Sequence, residues 1–444
     1  MTGKKVAVVS LGCNKNLVDT ENMLGLLSER GYNVTANENE ADVLIVNTCG
    51  FIESAKEESI QAILEMAKHK ALKGSKLIVT GCLAQRYKDE LMEEMPEIDA
   101  IVGTGGVSNI VEVVEQAAGG ARVNAVCDPS SVTDTALPRV LSNPGHSAYV
   151  KIADGCNNRC AYCAIPAIRG AYTSKPMEVI EQEVNYLLDN GIKEIILVAQ
   201  DTTRYGYDLY GQYVLPELVT RLTKLPKLKW LRLLYCYPSY LSDELISVIA
   251  KDPKVCKYID LPLQHASDNV LKKMHRRGNV QQIKNLITKI RTAIPDVTLR
   301  TSFIVGFPGE SNDDFQQLLD FMQEIKFDRV GVFQYSQEEG TPAAEMPDQI
   351  DESVKEQRYH STMQLQQQLS LEKNKNKIGQ VLEVLIEGEV VDQEATYVGR
   401  SHGDAPEIDG QVYFQAGTKI HAGELVQVKI TDATEYDLIG VLSK

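Results

Sequence analysis

The sequence predicts an α/β fold in three parts: an N-terminal parallel α/β unit, a central partial barrel of six strand–helix units, and a C-terminal OB-like β-barrel. Three observations predict it. Short β-rich runs alternate with amphipathic helical stretches up to about residue 350, the pattern of parallel sheets covered by helices. A polar stretch bearing Pro and Ser, 128–146, interrupts that alternation once and reads as a linker. After residue 379 the helical pattern gives way to closely spaced short strands.

In the N-terminal unit, 1–127, strands are expected at 6–10, 42–47, 76–80 and 98–102, with helices at 18–28 and 54–69 between them. The middle unit, 147–350, repeats the alternation. Its strands are expected at 149–153, 194–199, 230–235, 258–263, 299–305 and 329–335, and its helices at 176–190, 242–251, 280–293 and 312–325. Six units fall short of an eight-fold barrel and suit an open one, with ligands at the carboxyl ends of the strands. A Gln-rich, charged helix from 352 to about 377, within the connecting segment 351–378, reads as a solvated connector. Strands at 381–386, 396–398, 412–414, 425–430 and 438–442 complete a small barrel over 379–444, a shape that binds extended polymers or loops.

Composition narrows the function. A chain of 444 residues predicts two or three domains. No apolar run approaches the roughly 20 residues that span a bilayer, so no membrane segment is expected. Lys4-Lys5 leads straight into Val6-Ala7-Val8-Val9, without the longer apolar core of a signal peptide; a cytoplasmic location is expected. Nine cysteines cannot all pair, which points to metal or redox chemistry before disulfides. A net charge of −15 argues against a large phosphate-binding surface and suits a basic protein partner.

Cys156, Cys160 and Cys163 lie in one loop directly after the first strand of the middle unit. Three thiolates at this spacing face one side of a tight loop and leave one iron of a four-iron cubane without a protein ligand. The amino and carboxylate groups of S-adenosylmethionine can occupy that iron. Reductive cleavage there would give the 5′-deoxyadenosyl radical, which attacks unactivated C–H bonds. Structural zinc would want a fourth Cys or His at recognisable spacing, and none lies near. Tyr162, beside the last cysteine, is a candidate for packing against adenine. Gln200 and Asp201 end the second strand and Gln264 the fourth. Gly306 and Glu310 belong to the Gly-Phe-Pro-Gly-Glu turn that closes the fifth; all are candidate cofactor contacts, alongside ordinary strand-end hydrogen bonding.

Cys13, Cys49 and Cys82 each follow the carboxyl end of an expected strand of the first unit. Parallel strands share an edge, so the three thiols are expected to meet in one crevice and to hold a second cluster with an open iron. Cys127, Cys236 and Cys256 follow no such pattern and read as structural.

With both triads in view, the whole chain resembles the methylthiotransferase family of radical S-adenosylmethionine enzymes. That family joins an N-terminal cluster domain, a radical SAM barrel and a C-terminal TRAM barrel. Within it, three strings resemble the branch that modifies an aspartate of small-subunit ribosomal protein twelve. They are Ser10-Leu11-Gly12-Cys13-Asn14-Lys15-Asn16-Leu17-Val18-Asp19, Ala164-Ile165-Pro166-Ala167-Ile168-Arg169-Gly170 and Asp404-Ala405-Pro406-Glu407-Ile408-Asp409-Gly410. Asn14 stands where that branch usually has Pro. The resemblance implies two 4Fe-4S clusters and two uses of S-adenosylmethionine. One molecule donates a methyl group to sulfur and the other is cleaved to the radical. The product is 3-methylthioaspartate, and a low-potential donor such as flavodoxin or ferredoxin supplies electrons.

Residues 380–444 carry twelve Asp and Glu against four Lys and Arg. A barrel that grips transfer RNA should be basic, and an acidic one suits a basic ribosomal protein. An ordinary acidic solvated surface would give the same count. The rival readings are methylthiolation of an N6-modified adenosine in transfer RNA and a non-catalytic iron–sulfur or RNA-binding protein.

Overall fold

The computed structural model describes residues 3–129, 135–142, 145–391, 393 and 395–443. Part of the expected linker 128–146 lies outside them, as do Asp392, Glu394 and Lys444 of the C-terminal charge count.

The N-terminal strands are β1 (Lys5–Ser10), β2 (Asn33–Val34), β3 (Val43–Thr48), β4 (Lys76–Gly81), β5 (Ala100–Val102) and β6 (Val123–Ala125). They form one parallel sheet in the order β2-β1-β3-β4-β5-β6. Central β3 is buried at every position because helices cover both faces. Val43 and Ile45 pack on one side with Met23, Leu24 and Leu27 of the helix Asn14–Glu29. Leu44 and Val46 pack on the other with Ile63 and Met66 of the helix Glu53–Lys73. The two-residue alternation of a strand thus divides one apolar run between two cores. The short outer strands β2 and β6 carry too few residues to show any periodicity and were not expected.

The barrel strands are β7 (Ser147–Lys151), β8 (Ala153–Asp154), β9 (Thr173–Ser174), β10 (Glu194–Val198), β11 (Trp230–Leu233), β12 (Tyr258–Asp260), β13 (Thr298–Val305) and β14 (Arg329–Gln334). Two parallel arcs, β7-β10-β11 and β12-β13-β14, are joined by a Leu231–Val255 bridge and by the Cys236 amide donating to Asp260 O at 2.9 Å. Two expectations change here. The strand expected at 149–153 stops at Lys151, and β8 turns away to pair antiparallel with β9. The strand expected at 258–263 stops at Asp260; Pro262 has no N–H for the ladder, and pairing resumes only as a bridge between Gln264 and Phe303.

β15 (Val381–Glu389), β16 (Thr396–Ser401), β17 (Val412–Gln415), β18 (Leu425–Ala433) and β19 (Leu438–Leu442) close a five-stranded barrel in the order β15-β16-β17-β19-β18. Val384, Ile386, Phe414, Val428 and Ile430 fill it.

The connecting helix Glu352–Lys375 is not a solvated connector. Lys355, Arg358, Thr362, Gln366, Leu369 and Asn374 form a buried stripe along it. Arg358 donates to Glu310 O at 3.1 Å and Gln366 to Phe327 O at 3.2 Å. A stripe of polar residues satisfied by hydrogen bonds leaves no hydrophobic period to read.

Three of the charges counted in the C-terminal barrel, Asp404, Asp409 and Arg400, have side chains buried at its junction with the middle barrel, which leaves its acidic excess nearly unchanged. Asp404 is buried against Arg329 at 2.8 Å, and Asp409 accepts from Tyr258 Oη at 2.6 Å. Both tie the two barrels together and face no external partner.

Candidate functional site

β1, β3 and β4 are neighbours in the sheet, and the first cysteine triad sits just past their carboxyl ends. Cys13 is the N-cap of the helix Asn14–Glu29, Cys49 directly follows β3, and Cys82 opens the short helix Cys82–Arg86. Cys13 is exposed, Cys49 half-buried and Cys82 buried, so the crevice opens at one rim. Its walls are close backbone. Gly12 has φ +86, and a Cβ there would stand 2.9 Å from Cys49 Cβ and 3.2 Å from its Sγ. Only glycine allows both the conformation and the approach. Asn16 locks the rim, donating to Thr48 O at 2.9 Å and Leu11 O at 3.1 Å.

Lys15 and Arg169 bring positive charge to this crevice, with Glu58 opposing at Cys49. Burial pushes the Cys82 thiol up to about 11, against the pull of Arg169. Burial likewise raises Cys49. Although Cys13 is exposed at the rim, packing around its thiol raises its pKa in part; Lys15, Arg169 and the amides of Asn16 and Lys15 reverse this, for a net lowering. Cys13 is therefore the thiol of this triad that ionises most readily.

The second triad occupies the loop between β8 and the helix Ile165–Arg169. The Cys156 amide donates to Gly170 O and the Cys163 amide to Cys160 O, both at 3.1 Å, which curls the loop. Burial raises Cys156 to about 11 and Cys163 to about 12. Arg276 Nη1 stands 3.8 Å from Cys160 Sγ. Among the described residues no three His, Cys, Asp or Glu side chains could hold a single metal ion, so neither triad closes on one point.

Gln200 Nε2 donates to Asp154 Oδ1 at 2.9 Å. Asp201 is buried and accepts from Asn158 Nδ2 at 2.8 Å; burial raises its carboxyl, with Thr203 and Asn158 opposing. The acceptor oxygens Gln200 Oε1 and Asn158 Oδ1 are buried with no partner among the described residues. Tyr162 is half-buried against the group that contains Phe307 and Tyr335. Gln264 is half-buried and held at φ +76 by its bridge to Phe303. Gly306 has φ +73. Glu310 is buried, and its Oε2 accepts from the Gly306 and Phe307 amides at 2.5 and 3.0 Å, which shapes its own turn. Cys236 and Cys256 are buried, as a structural role requires, whereas Cys127 is exposed.

Sequence patterns missed the residues that join the two domains beside the first triad. Arg169 donates to Asn16 Oδ1 at 2.6 Å and to Asp154 Oδ2 at 2.9 Å, pairs with Asp19 at 3.1 Å, and lies 3.7 Å from Cys82 Sγ. Lys151 pairs with both Asp19 and Asp154. Burial lowers Lys151, but the two carboxylates raise it overall. A buried charge network has no periodicity; the only hint was that Asp19 and Arg169 fall in the family-like segments 10–19 and 164–170.

Comparison with known proteins agrees with this architecture. Residues 5–103 match the uncharacterized protein family UPF0004, residues 150–322 the Radical SAM superfamily and residues 378–442 the TRAM domain. The chain is 58% identical over 99% of both chains to ribosomal protein uS12 methylthiotransferase RimO of Desulforamulus reducens. It is 51% identical to the protein of that name from Clostridioides difficile, over 98% of both chains. Among solved structures it is similar in fold to the radical S-adenosylmethionine methyltransferase TsrM of Kitasatospora setae. That match has a TM-score of 0.58 at 14% identity and covers 77% of this chain and 74% of the other. With this identity over nearly its full length, the chain belongs to the RimO family of radical S-adenosylmethionine methylthiotransferases.

Proposed function

We propose that this protein inserts a methylthio group at the β-carbon of an aspartate in ribosomal protein uS12, using S-adenosylmethionine and two 4Fe-4S clusters. The observation that carries the reading is that the segment following the second triad places one guanidinium against a cysteine of the first. Arg169 closes the segment after Cys163 and reaches Cys82 across the domain boundary. Two sulfur-rich sites so linked suit a reaction that must bring a sulfur group to an activated carbon.

The residues fit the groups. Cys13, Cys49 and Cys82 stand just past neighbouring strand ends, with the positive charge of Arg169 close by, which suits an anionic thiolate cluster. Cys156, Cys160 and Cys163 do so beside Arg276. The unpartnered oxygens of Gln200 and Asn158 next to the second triad suit a ligand that brings N–H or O–H groups, as S-adenosylmethionine does. When bound, the second cluster would supply the electron that cleaves S-adenosylmethionine. Tyr162 in the cysteine loop, and Gln264, Gly306 and Glu310 past the ends of later strands, would line the cofactor's side of the site. No helix among the described residues is long and apolar enough to cross a membrane. The proposed reaction takes place in the cytoplasm and draws its electrons from a low-potential donor such as flavodoxin or ferredoxin.

The test is anaerobic incubation of reconstituted enzyme, S-adenosylmethionine and reductant with uS12 or with transfer RNA. Mass spectrometry should find a methylthio gain on uS12 alone. A gain on transfer RNA alone would move the protein to the other substrate class.

A further inference from the structure

We propose that Lys15 holds the side-chain carboxylate of the substrate aspartate, with Tyr235 as the wall that aims it; this rests on the function proposed above. Lys15 lies two residues past Cys13, in the first turn of the helix Asn14–Glu29, and is 8% exposed. Every other buried Lys or Arg among the described residues, from Arg139 and Lys151 to Arg329 and Arg400, pairs with an Asp or Glu. Among the same residues Lys15 has no carboxylate within ion-pair distance. Its ammonium instead stands 3.5 Å from the centroid of the Tyr235 ring. A ring face offsets part of the cost of burying an ammonium, and a carboxylate would offset far more.

Tyr235 marks the same spot independently. Its φ is +59, a left-handed conformation that a bulky aromatic rarely adopts and that surroundings must hold in place. It lies just beyond β11, at the barrel end where ligands bind. Its amide donates to Asp260 Oδ2 at 2.9 Å, and its hydroxyl accepts from Asn14 Nδ2 at 3.2 Å. The strained turn thus lays the ring from the barrel mouth onto the loop that carries Cys13. A positive charge with no carboxylate partner among the described residues sits there, beside the Cys13 loop. The carboxyl of aspartate is bonded directly to its β-carbon, so gripping the carboxylate also fixes the C–H bond to be replaced.

The rival role for Lys15 is to balance charge at the Cys13 triad alone. Methylthiolation kinetics of wild type and Lys15→Met on uS12 carrying its target Asp, or Asn in its place, separate the two, with iron counted in each preparation. The proposal expects Lys15→Met to lower kcat/KM on the Asp substrate about 30-fold or more, chiefly through KM. The Asn substrate should be poor for wild type and no poorer for the variant, and iron content should match. An equal loss on both substrates, or loss of iron from the variant, overturns the assignment. A wild-type enzyme that never adds mass to uS12 overturns the proposed function and this assignment with it. Lys15→Arg, which keeps the charge, should recover part of the activity on the Asp substrate only; recovery on both substrates alike also counts against it.

Discussion

Arg169 Nη2 stands 3.7 Å from Cys82 Sγ, although Arg169 belongs to the segment that follows Cys163 and Cys82 to another domain. The same guanidinium pairs with Asp154 and Asp19, one from each side of the boundary. Its position makes the domain boundary part of the site.

Arg169→Met should therefore be costly. It leaves Asp19 and Asp154 buried with Lys151 as their remaining ion-pair partner. Breaking a buried pair by removing one partner costs about 3–5 kcal/mol. Denaturant unfolding should show that loss, and a variant within about 0.5 kcal/mol of wild type would refute the network's importance.

The two triads should separate by mutation. Cys156→Ala should abolish 5′-deoxyadenosine formation. Replacing Cys13, Cys49 and Cys82 together should spare that cleavage and block methylthiolation. Product analysis by chromatography distinguishes these outcomes; full methylthiolation by the triple variant would end the two-cluster account.

Gly12→Ala should injure one triad alone. The added methyl meets Cys49 Cβ at 2.9 Å, in a conformation that alanine adopts with strain. Iron counting should show loss of about half the iron, with S-adenosylmethionine cleavage retained. Full iron content would show that the crevice yields more easily than its geometry implies.

Acid should loosen the junction between the two barrels. Burial and the charge of Arg232 lower the His402 ring to about 4. An unfolded histidine protonates near 6.5, so between 6.5 and 4 the unfolded state binds the proton that the folded state refuses. Stability should fall over that window by on the order of 3 kcal/mol. Glu194 extends the loss. Burial alone would raise its carboxyl, but Arg400 and Arg232 lower it to about 2, so its contribution is full above about 4.5 and disappears toward 2. Trp230, the chain's single tryptophan, reports on this junction: it contacts the His402 ring edge-on and donates to Glu383 at 3.0 Å. Urea midpoints followed by its fluorescence should drop from pH 7 to pH 4; a constant midpoint would contradict the assignment.

The six cysteines were legible because strand ends and loop spacing are written in local sequence. β1, β3 and β4 could be found as apolar runs, and a parallel sheet then puts the residues after them on one edge. The buried stripe of Lys355, Arg358, Gln366 and Asn374 could not be found that way. Its partners, such as Phe327 O and Thr434 O, are distant in the chain, and a satisfied polar group looks like a solvated one until its partner is known. The same holds for Asp404 and Asp409, which count as surface charge in a sum and as interface in the fold.

The sequence by itself determined the three-part α/β architecture and the two triads, because hydrophobic period and cysteine spacing are local properties. Tertiary structure alone decided what surrounds the first triad: Arg169 against Cys82, and Lys15 beneath a strained Tyr235. Burial of a charge is affordable only where distant segments supply its partner, and no window of sequence contains both.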